Sequence, residues 1–163
     1  MKLTDPAILA RLARLQNDYI SALDRKDLAA WLGAFSTRPD TSYICISAGN
    51  DSAGHPIALM LDDCHGRLED RVMFITKIWR GTYQEYATRH FVQLLDAEQG
   101  DDGSYRILSN YSINYTMDPH VTGVLCTGSY RDTVVKENGE LRFLSKRALY
   151  DTNVLPQYVV YPF

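Results

Sequence analysis

Four histidines, at positions 55, 65, 90 and 120, are the residues of this chain best suited to hold a metal or move a proton. A mononuclear iron site takes two histidines and one carboxylate on a shared face, and Asp62, Asp63 and Asp118 stand close enough in sequence to complete a parts list. No two of the histidines are four residues apart, the spacing that stacks side chains on one side of a helix. A Rieske cluster needs two Cys-and-His pairs, and Cys64-His65 is the one place where those residue types meet. Cys45, Cys64 and Cys126 form no CxxC pair and read as small buried apolar residues of a reducing compartment. Ser129 and Ser145 sit in no GxSxG elbow, and the ten glycines make neither a GxGxxG turn nor a P-loop.

Tyrosine is what remains. His90, Tyr111, Tyr115, Tyr130 and Asp132 fall on candidate strands and could converge as an acid–base pocket for a small apolar substrate, the equipment of a free-standing lyase or isomerase. The plainer account of eleven tyrosines is that they are large amphipathic side chains filling a curved sheet and its rim.

The elements that must position these residues lie mostly in the second half of the chain. In Tyr105–Met117, Tyr105, Ile107, Tyr111, Ile113, Tyr115 and Met117 alternate with Arg106, Asn110, Ser112, Asn114 and Thr116, the pattern of a half-buried strand. Asn138-Gly139 tolerates the positive φ angles of a two-residue type I′ turn, so Val124–Lys136 and Glu140–Asp151 form a hairpin whose register follows from that turn. Thr88–Glu98 is a further long strand. Strands of this length coil strongly and leave a concave side to be filled.

The first half supplies the filling. Asp5-Pro6 starts a helix striped by Ile8, Leu12, Leu15, Tyr19 and Leu23, and Asp27 caps a short second one carrying Leu28, Trp31, Leu32 and Phe35. Ser42–Ser47 and Pro56–Leu61 read as a short hairpin. Asp62-Asp63 opens a third helix, striped by Cys64, Leu68, Val72, Ile75 and Trp79 and ended by Gly81, with Asp63 and Arg67 spaced as a surface pair. Asp118-Pro119-His120 reads as a turn between strands. Helices followed by a run of antiparallel strands give an α+β cone, one domain over residues 1–163.

Composition narrows the partners. A net charge of −3 gives no electrostatic reason to bind nucleic acid or an anionic membrane. Asp5 and Arg11 interrupt any signal sequence, and no stretch reaches 18 apolar residues, so the expectation is a cytoplasmic protein.

Short motifs then carry a resemblance. Leu61-Asp62-Asp63 with Leu68 and Arg71-Val72, Thr88-Arg89-His90, Ser109-Asn110-Tyr111, Gly128-Ser129-Tyr130-Arg131-Asp132, Arg147, and Leu149-Tyr150-Asp151-Thr152-Asn153-Val154-Leu155-Pro156 occur in the order found in the small (β) subunit of aromatic-ring-hydroxylating dioxygenases. From about Asp18 onward the chain is similar to that family. It departs at Tyr83–Ala87, where a Pro-Ser-Arg-like run is common, and at Gln93, where Asn is frequent.

The resemblance implies a cystatin-like, nuclear transport factor 2-like cone with three helices in the concave side of a mainly antiparallel sheet. It implies a large (α) subunit carrying a Rieske 2Fe–2S cluster and mononuclear Fe(II), an α3β3 hexamer, and electrons from NADH through a reductase and ferredoxin. The assembled enzyme would add O2 to an aromatic acid, giving a cis-diol or catechol; anthranilate is favoured over benzoate, salicylate and terephthalate. On this reading the small chain is mainly structural, with no catalytic, cofactor or metal residue of its own. Trp79, Arg80, Tyr158, Tyr161 and Phe163 are then the expected subunit contacts, Trp and Arg being favoured interface anchors. A binding module without an enzyme partner is the third possibility.

Overall fold

The computed structural model describes residues 1–117 and 121–163; the turn expected at Asp118-Pro119-His120, and with it His120, lies outside them. Among the described residues the chain forms helix α1 (Pro6–Asp24), helix α2 (Leu28–Gly33), strand β1 (Ser42–Ser47), a short helix α3 (Ala48–Ser52) and strand β2 (Met60–Asp62). Helix α4 (His65–Met73) follows and continues into a π-helical turn, Phe74–Ile78. Four long strands complete the chain: β3 (Tyr86–Gln99), β4 (Tyr105–Met117), β5 (Val121–Glu137) and β6 (Glu140–Tyr150).

The helix starts are chemical. The Asp5 carboxylate accepts the Ala7 N–H at 2.8 Å ahead of Pro6, and that of Asp27 accepts the Ala30 N–H at 3.0 Å, each satisfying an amide that helix geometry leaves free. The start expected at Asp62-Asp63 lies later. Asp62 is the last residue of β2 and is buried, and Cys64 is the N-cap. The Asp63–Arg67 pair does form, at 3.3 Å on the surface.

All six strands join one sheet in the order β2-β1-β6-β5-β4-β3. β1 and β2 pair antiparallel through Tyr43↔Asp62 and Cys45↔Met60, as a hairpin should. The second strand is shorter than Pro56–Leu61 because Pro56 has no N–H to give and the Ile57 carbonyl is taken by the Asn50 side chain at 3.0 Å. β1 also pairs parallel with β6, from Ser42↔Ser145 to Ser47↔Tyr150. The exposed edge of β3 is partly covered by the amino terminus, where the Leu3 N–H reaches the Ala97 carbonyl at 2.8 Å.

Asn138 and Gly139 both have positive φ, 52° and 85°, as a type I′ turn requires. The register they set, Glu137↔Glu140, runs only to Val134↔Phe143; a bulge at Leu144 then shifts it, so that Thr133 faces Ser145 and Asp132 faces Lys146. The expectation that the turn alone fixes the hairpin register is therefore corrected beyond Phe143. One inserted residue reverses which β6 side chains point inward.

The expected inner face of β4 is buried at Tyr105, Ile107, Tyr111 and Ile113 and half-buried at Tyr115 and Met117. α1 packs against β3 and β6, α2 against α1 and α4, and the aromatic rings of Tyr19, Trp31, Phe35, Tyr43 and Phe143 meet edge-on or tilted at 5.1–6.4 Å in the centre. The result is an α+β cone with α1 and α2 on its concave side.

Candidate functional site

The inner wall of the cone brings together two of the expected residues at once. Tyr111 on β4 and Tyr130 on β5 stack with ring centroids 4.3 Å apart and planes 15° from parallel. Tyr111 then donates its hydroxyl to the Leu149 carbonyl of β6 at 3.0 Å, reaching past Gly128 to do so. A Cβ at Gly128 would stand 1.8 Å from that same carbonyl oxygen and 2.9 Å from the Tyr111 hydroxyl, so only glycine fits.

Asp132, one step further along the inner face of β5, faces Lys146 across the strand pair. Its carboxylate accepts from Lys146 Nζ at 2.8 Å and from Gln16 Nε2 of α1 at 2.7 Å, while Gln16 Oε1 accepts from Lys146 Nζ at 2.9 Å. Both ionic side chains are fully buried. The ammonium also lies over three rings, 3.9 Å from the centroid of Tyr130, 4.2 Å from Phe143 and 4.4 Å from Tyr19. Burial lowers the Lys146 ammonium to about 8 against the pull of Asp132, and burial raises the Asp132 carboxyl against the pull of Lys146. Charges enclosed this completely act on each other, with no route for a substrate.

His90, on β3, is turned to a different partner. Its Nδ1 meets Asp24 Oδ1 at 2.6 Å and its backbone N–H donates to Asp24 Oδ2 at 3.0 Å, at the last residue of α1. Thr88 donates to the same carboxylate at 3.0 Å. Burial pushes the Asp24 carboxyl up, but the hydrogen bonds and charge of His90 and the bond from Thr88 outweigh it and hold the group below its usual range. Next to it Lys26, whose φ is +60°, donates to Thr88 Oγ1 at 3.1 Å and lies 4.0 Å over the Tyr161 ring. Burial brings this ammonium down to about 8 against the pull of Asp24 and Glu85. Tyr115 stays half-buried towards the far end of β4, beside Gly123.

The mouth of the cone is occupied by the chain itself. Val160, Tyr161 and Phe163 are buried, Phe163 to 1% exposure. Phe163 packs its ring against Tyr111 and Tyr150, accepts the Tyr19 hydroxyl on its main-chain oxygen at 2.5 Å, and donates its N–H to Tyr43 Oη at 2.8 Å. Tyr86 Oη accepts the N–H groups of Val160 and Tyr161 at 2.9 and 3.3 Å. The Tyr161 hydroxyl donates to the Glu85 carboxylate at 2.7 Å and meets the Tyr83 hydroxyl at 2.8 Å, and Tyr158 donates to the Gln84 carbonyl at 2.6 Å. Of the expected contact residues, Tyr161 and Phe163 thus pack on their own sheet; Arg80 and Tyr158 are exposed, and Trp79 is half-buried against Phe74.

The remaining motif residues pair with one another. Arg71 of α4 forms a two-pronged bond with the buried Asp62, NH2 to Oδ1 at 2.9 Å, and so ties the helix to the edge strand. Arg131 and Arg147 stand directly opposite each other on β5 and β6, and Asp51 of α3 bridges them, 3.1 Å from Arg131 NH1 and 2.8 Å from Arg147 Nε. Asp51 and Arg147 border an outer hollow of about 250 Å³ lined by Ile44, Ile46, His55 and Leu61. His65 Nδ1 lies 3.7 Å from Glu69. The described histidines therefore sit on separate elements, and among the described residues no three of His, Cys, Asp and Glu gather closely enough for a metal ion. That set does not fit a mononuclear iron or a Rieske cluster. Cys45 and Cys126 are buried and all three cysteines are free; burial pushes the Cys126 thiol up to about 12.

Sequence reasoning missed Gln16, Asp24 and Lys146. Gln16 lies on the buried face of α1, four residues after Leu12 and three before Tyr19, but is polar and so does not count in an apolar stripe, while Asp24 ends the helix away from that stripe. Lys146 would have surfaced only if the bulge at Leu144 were known, since the unshifted register places Ser145 opposite Asp132.

Comparison with known proteins gives a consistent set of matches. Residues 9–157 match the family described as ring hydroxylating beta subunit. The anthranilate 1,2-dioxygenase small subunit of Burkholderia cepacia is 32% identical over 139 residues, covering 85% of this chain and 84% of that protein. A crystal structure described as the β subunit of an aromatic-ring-hydroxylating dioxygenase from Novosphingobium aromaticivorans superimposes with TM-score 0.76 at 25% identity, over 90% of this chain and 92% of that one. The β subunit of benzoate 1,2-dioxygenase from Burkholderia mallei superimposes with TM-score 0.69 at 23% identity, over 93% of each chain, which speaks for the fold.

Proposed function

This chain belongs to the ring hydroxylating β-subunit family, and from that premise we propose that it is the mainly structural small subunit of an aromatic-acid dioxygenase, with anthranilate the favoured substrate. The observation that carries the structural role is where the family's motif residues spend their chemistry. Asp62 holds Arg71, His90 holds Asp24, Asp132 holds Lys146, and Arg131 and Arg147 hold Asp51, all within the chain. Such bonds stiffen a scaffold, and they spend the charge of the buried members, Asp62, Asp132 and Lys146, inside the chain. The preference for anthranilate rests on the 32% identical Burkholderia cepacia subunit.

On this reading the chain, folding as one domain over residues 1–163, works in the cytoplasm beside a large α subunit, in an α3β3 hexamer. The Rieske 2Fe–2S cluster and mononuclear Fe(II) that supply dioxygen chemistry sit on that partner, and electrons arrive from NADH through a reductase and ferredoxin. Trp79, Arg80 and Tyr158 are the contacts proposed for the partner, because an aromatic side chain with a polar tip and an arginine are strong interface anchors. No described helix is long and apolar enough to cross a membrane.

Co-expression with an iron–sulfur α subunit of the same dioxygenase class tests the reading. A stable mixed hexamer that converts anthranilate is the expected product, and the small chain purified alone should contain no stoichiometric iron. Iron bound one-to-one by the isolated chain, or oxidation of an aromatic acid by it, would sink the proposal.

A further inference from the structure

The manner in which the last residues are held differs from the rest of the fold. Residues 157–163 belong to no strand of the sheet. The N–H groups of Val160, Tyr161 and Phe163 go to tyrosine hydroxyls, of Tyr86 and Tyr43. A segment held in this way can leave without unpairing any strand. What it would leave behind is specific. The Tyr19 hydroxyl is aimed at the Phe163 main-chain oxygen, and Tyr43 Oη, 3.5 Å from the same oxygen, is placed to accept an N–H. The rings of Tyr111 and Tyr150 flank the space the Phe163 ring fills, with centroids 6.5 and 5.9 Å from it. A concave, mostly aromatic site with a few convergent polar groups is the usual form of a small-molecule pocket.

We propose that the inside of the cone is a binding site for a small aromatic molecule bearing an N–H and an acceptor oxygen, in the pattern of a phenylalanine derivative, and that Tyr158–Phe163 is the strap that occupies and shuts it. Burial keeps the Tyr19 and Tyr43 phenols protonated well past neutral pH, so both stay available as hydrogen-bonding hydroxyls. An external ligand must displace the strap, which is present at a very high effective concentration, so wild-type affinity is weak and weakening the strap raises it. The inference concerns this chain's own interior and stands or falls independently of the α subunit.

The test uses the full chain and N-acetyl-L-phenylalaninamide as probe, with N-acetyl-L-leucinamide as control. In the wild type, saturating probe should speed hydrogen exchange of the amides at 158–163 while β4 and β5 stay protected, and the control should not. In Phe163→Ala, which empties the ring site, the probe should bind at least ten-fold more tightly than to wild type. Adding Tyr43→Phe should take back most of that gain, and Tyr158→Phe should not. If Phe163→Ala fails to fold, Phe163→Leu is read in its place with a smaller expected gain. Exchange at 158–163 that ignores the probe, equal binding of the leucine control, or a gain indifferent to Tyr43→Phe each overturns the proposal.

Discussion

Replacing Lys146 by Met alone should cost about 3–5 kcal/mol of stability, the range for stranding one member of a buried ion pair. The structure explains why the upper part of that range applies. Met keeps the aliphatic length but removes the ammonium bonded to Asp132 and Gln16, and the three ring faces around it lose their cation. Asp132, fully buried, is then left with Gln16 Nε2 as its partner and one oxygen without any. Asp132→Leu alone strands the ammonium and costs a similar amount. The double variant Asp132→Leu/Lys146→Met removes both charges, and such replacements are often neutral or stabilising by about 1–4 kcal/mol. The two single losses therefore should not add, and the coupling should reach several kcal/mol. Urea unfolding followed by fluorescence reads this well, because Trp31 is buried against Tyr19 in the same cluster; an unchanged slope with denaturant identifies a stability change as such. A single-variant cost below about 1 kcal/mol, or a double variant that is simply the sum of the singles, would show that the buried pair does not work as an enclosed unit.

Other perturbations follow from the same geometry. Gly128→Ala, by driving a Cβ into the Leu149 carbonyl and the Tyr111 hydroxyl, should destabilise by about 3 kcal/mol or more, read as a lowered urea midpoint; a loss under about 1 kcal/mol would mean the β5–β6 spacing is not as close as described. Asp24 has a folded pKa held below its usual 3.8. The unfolded chain therefore takes up that proton first as pH falls, and stability from Asp24 is present above 3.8 and lost as pH drops through the folded value. The stability gap between wild type and Asp24→Asn should accordingly shrink below pH 4, and a gap independent of pH from 6 to 3 would contradict the linkage. Asp51→Ala leaves Arg131 and Arg147 facing each other without a carboxylate. Like charges directly opposite are destabilising, by up to about 1 kcal/mol, and salt screens them; the variant's deficit should narrow as ionic strength rises.

Local chemistry made much of this fold readable in advance. Asp5, Asp27 and Asn138-Gly139 act through bonds to neighbours within a few residues, so spacing alone located two helix starts and a hairpin. Period-two alternation likewise gave the buried face of β4. Long-range geometry was not readable. The parallel pairing of β1 with β6, the bulge at Leu144 and the seating of Phe163 under Tyr19 and Tyr43 depend on contacts between residues over a hundred positions apart, or on one inserted residue that no composition signals. For the same reason Tyr130 and Asp132 were legible as inward-facing, while Gln16 and Lys146, which pair with Asp132, were not. His90 was legible as a histidine worth noting, but its partner Asp24 is 66 positions away.

The placement of β1 beside β6 has a consequence for synthesis. Ser42–Ser47 cannot take its parallel partner until Ser145–Tyr150 has been made, and the aromatic centre then still waits for Phe163. At roughly 5–20 residues per second, β1 emerges from the ribosome many seconds before the strand it must lie against. Contacts so distant in sequence also fold slowly once they can form. β1 can pair with β2 as soon as Asp62 is made, but its other edge stays open for most of translation, and Ser42–Ser47 is the stretch a chaperone would have most reason to hold.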